Sequence, residues 1–150
     1  MITIQIPGEA VGKGRPKFAR RGKFVTTYTP EKTANYENLV KLAAAEAMQG
    51  RQLFDSAVHV ELLILCSVPQ SWSKKKQLQA MSGTLRPTSK PDVDNVQKAI
   101  YDALNGIVWA DDKQIVSGSF SKHYASAPLV RIRVSPITGD ALGAAGVVHE

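Results

Sequence analysis

The acidic residues between positions 92 and 112 are the part of the sequence best suited to chemistry. Asp92 and Asp94 stand two residues apart, and Asp111 and Asp112 follow less than twenty residues later. Carboxylates that are clustered without a counter-charge repel one another, so a chain that keeps them together usually holds a cation between them. A small number of hard oxygen ligands suits Mg²⁺ or Mn²⁺, which keep several waters and also bind substrate phosphates. The pattern therefore indicates a divalent metal site.

The spacing of these residues predicts the directions in which their side chains point. In an extended chain residues i and i+2 point the same way, so Asp92 and Asp94 can present two carboxylates to one ion while Val93 faces the core. Lys98 and Asp102 then follow at four-residue steps along a helix that we expect to begin at Asp94. Adjacent residues at the start of a strand point to opposite sides, so only one residue of the later acidic pair is expected to reach the metal.

Structural roles for the same residues stay open on spacing alone. Asp94 or Asn95 can serve as a helix N-cap, and the later acidic pair can belong to a turn. Asp94, Lys98 and Asp102 can form an exposed i,i+4 ladder, and for Asp102 we prefer that interpretation.

The charge of the chain, formally +6, is unevenly distributed. Residues 1–90 hold 14 lysines and arginines against 6 acidic residues, whereas residues 91–150 hold 5 against 7. A basic part that meets a polyanion and an acidic part that holds metal together suggest a nuclease. Residues 11–21 are expected to form an exposed, flexible basic arm whose phosphate-contacting candidates are Lys13, Arg15, Lys17, Arg20 and Arg21.

Cysteine use and hydropathy point to a cytoplasmic protein with no membrane partner. Cys66 is the one cysteine, so it cannot form an internal disulfide, and its apolar neighbours predict a core position. No apolar stretch approaches membrane-spanning length, and the first residues lack the pattern of a signal peptide.

Hydrophobic periodicity predicts a single α+β (mixed α/β) domain with one mixed sheet packed against helices. Strands are predicted at residues 2–6, 24–28, 58–68, 114–123 and 129–134, with the last two able to pair as a hairpin and residues 58–68 as a central strand covered on both faces. Helices are predicted from Pro30, capped by Thr29, to Gly50, from Ser71 or Ser73 to Met81, and from Asp94 to about Gly106. The domain would span residues 1–134, and residues 135–150 would form a flexible tail.

Three segments resemble the RusA family of Holliday-junction resolvases, which are metal-dependent endonucleases common in phages and prophages. The segments are 92–99 (DVDNVQKA), 102–104 (DAL) and 108–116 (VWADDKQIV), and they are similar to the family pattern D-x-D-N-x-x-K-A, D-A-L and W-x-D-D-x-Q-V. Residues 12–16 (GKGRP) are similar to an opening found in many phage members. The resemblance covers roughly residues 2–134 in element order.

The resemblance implies a catalytic set of Asp92, Asp94, Lys98 and Asp112, in which the three aspartates bind metal. It also implies a homodimer that nicks two opposing strands of a four-way DNA junction in recombination and repair. Two ions about 4 Å apart could activate the attacking water and stabilise the leaving oxygen, although one ion with the lysine in place of the second is also feasible. Lys98 would stabilise the charge that develops on the phosphate. Two other functions remain open: a general metal-dependent nuclease that cuts forks, flaps or RNA, and a catalytically silent nucleic-acid-binding module.

Overall fold

A computed structural model describes residues 1–15, 17–28 and 30–137. The elements in chain order are strands β1 (Ile2–Pro7), β2 (Lys17–Arg21) and β3 (Phe24–Tyr28), helix α1 (Glu31–Met48), strand β4 (Val58–Ser67), helices α2 (Lys74–Met81) and α3 (Val93–Leu104), and strands β5 (Ile115–Ala125) and β6 (Leu129–Pro136). A short 3₁₀ turn, Asp112–Gln114, precedes β5. Four strands form one mixed sheet and three helices accompany it, which confirms the predicted single-domain α+β fold.

The sheet has the strand order β1-β6-β4-β5. Strand β4 pairs antiparallel with β6 and parallel with β5. The predicted hairpin of β5 and β6 is therefore wrong, because β4 lies between them. Residues 126–128 can make this connection, since two strand spacings amount to about 9.6 Å and four extended Cα steps reach about 14 Å.

The hydrophobic core lies on one face of this sheet. Strand β4 alternates, with Val58, Val60, Leu62 and Ile64 buried and the residues between them half-buried or exposed. The buried side chains of α1 and α3 join the same core as those of the strands. The prediction that β4 is covered on both faces is wrong, because the residues that alternate with the buried ones are half-buried or exposed.

The helices begin and end where backbone chemistry requires. Helix α1 has 18 residues and is slightly shorter than predicted, because Pro30 occupies its N-cap position and the first helical residue is Glu31. The predicted cap, Thr29, lies outside the described residues. Helix α1 ends at Met48, and the two residues that follow, Gln49 and Gly50, both have positive φ. Helix α2 is capped as predicted by Ser73, whose Oγ accepts from the Lys76 backbone N–H at 3.2 Å. No helix within the described ranges is long and apolar enough to cross a bilayer.

The basic segment differs from the predicted flexible arm. Its residues 17–21 form strand β2, which pairs antiparallel with β3. Pairing with β3 satisfies backbone groups that an isolated arm would leave to water. Residues 11–14 are half-buried rather than exposed. At the other end of the chain, β6 continues to Pro136, so two residues of the predicted tail belong to the sheet, and residues 138–150 lie outside the described part.

Candidate active site

Helix α3 presents to solvent the predicted i,i+4 row of Asp94, Lys98 and Asp102, which we call the polar ridge. Its buried stripe fixes the orientation of the helix and consists of Val96, Ala99, Ile100, Ala103 and Leu104. Asp94, Lys98 and Asp102 are all exposed. At about 100° per residue they lie within about 80° of one another, and the rise of the helix separates Asp94 from Asp102 by about 12 Å. The ridge is thus a row of charges rather than a cluster.

The carboxylate of Asp92 is not used to cap α3. Asp92 occupies the N-cap position with extended backbone, but its side chain makes no capping hydrogen bond. Asp94 lies inside the first turn of the helix, which excludes the N-cap role for Asp94 or Asn95. The positive end of the helix dipole favours ionised carboxylates here. Both exposed carboxylates, which we call the N-terminal pair, are therefore available to a cation.

Strand β5 fixes the loop that leads to Asp92. The Lys122 ammonium donates to the Ser89 carbonyl at 2.8 Å and to the Pro91 carbonyl at 3.0 Å. Arg86 Nε in turn donates to the Lys122 carbonyl at 2.8 Å. The position of Asp92 is thereby set from the sheet, a role for Lys122 that sequence spacing does not indicate.

The second acidic motif divides into a structural residue and an available one. Asp111 Oδ1 accepts from the Lys113 backbone N–H at 2.9 Å, and the Asp111 backbone N–H donates to Gln114 Oε1 at 3.1 Å. The Lys113 hydrogen bond lowers the pKa of Asp111. This capping box gives Asp111 the turn role that spacing left open. Asp112 takes no part in it and begins the 3₁₀ turn.

Asp112 lies beside the C-terminal end of α3. Burial raises the pKa of Asp112, and the neighbouring carboxylates of Asp111 and Asp102 raise it further, while a hydrogen bond from Asn105 lowers it. Asn105 Oδ1 accepts from Trp109 Nε1 at 2.7 Å, which leaves the Asn105 amide N–H for Asp112. We call Asp102 and Asp112 the C-terminal pair.

Two of the predicted metal ligands, Asp92 and Asp94, lie at the start of α3, and the third, Asp112, lies near its C-terminal end. The N-terminal and C-terminal pairs are about two helical turns apart along α3. Within residues 1–15, 17–28 and 30–137 no group of three or more acidic, histidine or cysteine residues is placed to hold a metal ion. Mg²⁺ is commonly bound by one or two carboxylates, substrate phosphates and water. Each pair offers that number of carboxylates.

Lys13 is committed to carboxylates within the chain. Its Nζ lies 2.5 Å from Asp102 Oδ2 and 3.3 Å from Glu37 Oε1. The hydrogen bond to Asp102 raises the pKa of Lys13, and Glu37 adds to this effect. The Lys13 backbone N–H also donates to the Asn95 carbonyl at 2.9 Å. Lys13 therefore joins α1 to α3.

The other predicted phosphate contacts surround the hairpin of β2 and β3. Arg15 and Arg20 are exposed, and Lys17 and Arg21 lie in β2 with Arg20. A cavity of about 530 Å³ opens between residues 9–14, the start of α1 and residues 90–95, with Asp92 in its wall. Lys32 and Lys90 also line it. Lys32 and Lys90 thus place positive charge near Asp92 in this cavity, and the basic hairpin adds further positively charged residues.

Comparison with known proteins adds two findings. The sequence model of the family described as Endodeoxyribonuclease RusA matches residues 7–135. The chain is also 34% identical over 139 residues to the uncharacterized protein YqaN of Bacillus subtilis (strain 168), and the match covers 91% of this chain and 97% of that protein. The family match includes all four predicted catalytic residues.

Proposed function

Because the chain belongs to the RusA family of endodeoxyribonucleases, we propose that it is a divalent-metal-dependent nuclease that resolves four-way DNA junctions by paired, symmetric nicks in recombination and repair. The observation that best supports a catalytic role is the exposed N-terminal pair, whose Asp92 occupies an N-cap position without capping the helix. A purely structural Asp at that position would accept a backbone N–H of the first turn.

The acidic residues would bind Mg²⁺, with Mn²⁺ able to replace it, as an Asp92, Asp94 and Asp112 set. A bound divalent ion supplies Lewis-acid activation of water and stabilises the leaving oxygen. Because Asp112 is separated from the N-terminal pair along α3, Asp92 and Asp94 would provide the carboxylates at one end and Asp112 at the other, and phosphate oxygens and water would fill the remaining positions. Asp102 then becomes a neighbour of the metal site through its proximity to Asp112.

Lys98 would act between the two pairs. It is exposed on the same ridge, one turn from Asp94 and one turn from Asp102. An ammonium at this position stabilises the additional negative charge of the pentacovalent phosphate more than it stabilises the ground state. We therefore assign Lys98 to transition-state stabilisation rather than to proton transfer.

Cleavage of a labelled mobile junction tests the proposal. Wild-type protein with Mg²⁺ is expected to cut the junction in preference to a linear duplex of the same sequence, and excess EDTA is expected to stop it. Asp94→Asn should bind the junction but not cut it, whereas Asp55→Asn, an exposed acid in another loop, should cut normally. Lys98→Ala should cut about a hundredfold more slowly.

The same assay separates the two other functions. Equal cutting of forks, flaps, RNA or linear duplex would indicate a general nuclease. Binding without cutting, unchanged by EDTA and by Asp94→Asn, would indicate a silent nucleic-acid-binding module. Activity that persists in excess EDTA would exclude the proposed metal dependence.

A further inference from the structure

Strands β2 and β3 form a hairpin that pairs with no other strand in the described ranges. Arg21 pairs with Phe24 and Phe18 with Thr27, so Gly22 and Lys23 form a two-residue turn. Gly22 has a φ of +63°, the sign required at the first central position of a type II′ turn, which matches the twist of paired strands. The chain thus builds a narrow and locally ordered two-stranded tip.

This tip exposes large apolar side chains. Phe18, Phe24 and Val25 are 72%, 75% and 60% exposed. Residues opposite each other in an antiparallel pair share a face, and neighbouring residues along a strand alternate. Phe24 therefore lies on one face of the hairpin, and Phe18 and Val25 lie on the other. Three large exposed apolar side chains within eight residues are more concentrated than the single exposed apolar residues that are usual on protein surfaces, and they indicate a binding surface.

The positive charge around the tip favours a negatively charged partner. Residues 10–30 contain six lysines and arginines and no acidic residue. Arg20 and Lys23, next to the exposed rings, are themselves exposed. A second copy of the hairpin would bring the same charge and be repelled, whereas a polyanion would be attracted. Aromatic rings combined with cations are suited to unpaired or unstacked nucleic-acid bases.

We propose that the hairpin enters the branch point of a DNA junction and that Phe18 and Phe24 stack on the base pairs exposed there. This inference rests on the proposed function and adds a means of recognising the branch. In a continuous duplex the faces of the base pairs are covered by their neighbours, but at a crossover the terminal pairs of the arms can be separated. Apolar side chains inserted between such pairs replace the lost stacking, as in other proteins that kink DNA.

Binding measured in EDTA tests the inference without cleavage. A four-way junction carries 2-aminopurine beside its centre, and its affinity and fluorescence are compared with those of a linear duplex. Wild-type protein should increase the fluorescence of the junction. The double change Phe18→Ala/Phe24→Ala should abolish this increase and weaken junction binding tenfold or more, with duplex affinity unchanged. Arg20→Ala/Lys23→Ala should weaken both substrates to a similar extent.

Matched variants separate stacking from general effects. Leu42→Ala removes another exposed apolar side chain, which is 70% exposed on α1, and should change neither measurement. Phe18→Ala should weaken junction binding, whereas Phe18→Trp should bind the junction as wild type does, because indole also stacks on bases. Equal losses on junction and duplex, or no loss on the junction, would overturn the inference. A lower molecular mass for the double variant would show instead that the rings contact a second copy.

Failure of the inference and failure of the proposed function give different results. If wild-type protein cuts junctions in Mg²⁺ but the phenylalanine changes leave binding intact, the proposed function stands and the proposed stacking of Phe18 and Phe24 is refuted. If the phenylalanines support junction binding but no junction is cut, the stacking stands and the nuclease function is refuted.

Discussion

Lys122 acts on the candidate site through the backbone. Its two hydrogen bonds to the Ser89 and Pro91 carbonyls hold the residue immediately before Asp92. We predict that Lys122→Met lowers kcat for junction cleavage by about tenfold, as supporting contacts of metal ligands do, with KM unchanged. Lys113→Met, which removes an exposed lysine close to Asp112, is the control. A higher KM together with a weaker salt dependence of binding would mean that Lys122 contacts phosphate directly.

Asp111 and Asp112 are expected to respond differently to the same substitution. Asp111→Asn keeps an oxygen that can accept the Lys113 N–H, so the 3₁₀ turn and the cleavage rate should both be close to wild type. Asp112→Asn should abolish cleavage, because a neutral amide is a poor ligand for a divalent ion. Cleavage rates and melting temperatures of the two variants provide the test. The reverse order of activity would show that Asp111 is the functional residue.

The residue types of the site are predictable from sequence, but their grouping is not. The i,i+4 spacing correctly predicts one exposed row of Asp94, Lys98 and Asp102, because helix geometry is local. The position of Asp112 near Asp102 and Asn105 depends on the path of residues 105–111 after α3, which no local rule gives. The same applies to Lys13, whose partners lie on two helices distant in sequence.

At the scale of elements, strands β4 and β5 approach closely at Gly118. A Cβ at this position would lie 2.5 Å from the Val60 carbonyl oxygen. Because that atom belongs to the backbone of the neighbouring strand, we predict that Gly118→Ala lowers the free energy of unfolding by about 1–3 kcal/mol. Ser119→Ala, one residue along the same strand and exposed, should change it little. Denaturant unfolding would measure both, and equal midpoints would refute the prediction.

Helix α1 carries a buried hydroxyl that should make stability sensitive to alkali. Tyr36 is 5% exposed, and its hydroxyl has no hydrogen-bond partner within the described chain. Burial raises the pKa of Tyr36 well above its usual value near 10. The contribution of the neutral Tyr36 side chain to the free energy of unfolding is therefore complete below about pH 10 and is lost as the pH rises through the folded-state pKa.

Tyr36→Phe should accordingly be more stable than wild type by about 1 kcal/mol at pH 7, because it removes an unpartnered buried hydroxyl. It should also lose less stability between pH 10 and pH 12. Urea unfolding at a series of pH values would test both expectations. Parallel losses in the two proteins would show that other groups cause the alkaline unfolding.

The predicted elements are correct where they depend on a local sequence pattern. The predictions are wrong where they depend on which strands pair. The alternation of Ile2, Ile4 and Ile6, the periodic stripe of α3 and the Ser73 cap of α2 all identify their elements correctly. Sequence patterns do not identify strand β2, because its lysines and arginines interrupt the alternation of apolar and polar residues. Its ordering contacts come from its partner β3. The neighbours of β5 and β6 were misassigned since a three-residue link ordinarily joins paired strands.

At the scale of the whole molecule, the proposed reaction requires two equivalent sites. One metal site cuts one phosphodiester, so symmetric resolution of a four-way junction is expected to use a two-fold homodimer. Light scattering should give the mass of a dimer, and a supercoiled cruciform plasmid should yield linear product within one binding event. A stable monomer that leaves only singly nicked circles would contradict paired incision.

The order of strands in the sheet governs how the chain reaches its folded state. Strand β1 pairs with β6 from the opposite end of the described chain, and β4 must await both β5 and β6. The four-stranded sheet therefore contains no pairing that can form early from neighbouring residues. During synthesis the apolar residues of β4 stay without strand partners until nearly the whole domain has been made. Such a topology favours slow folding and a longer exposure to aggregation than the small size of the protein suggests.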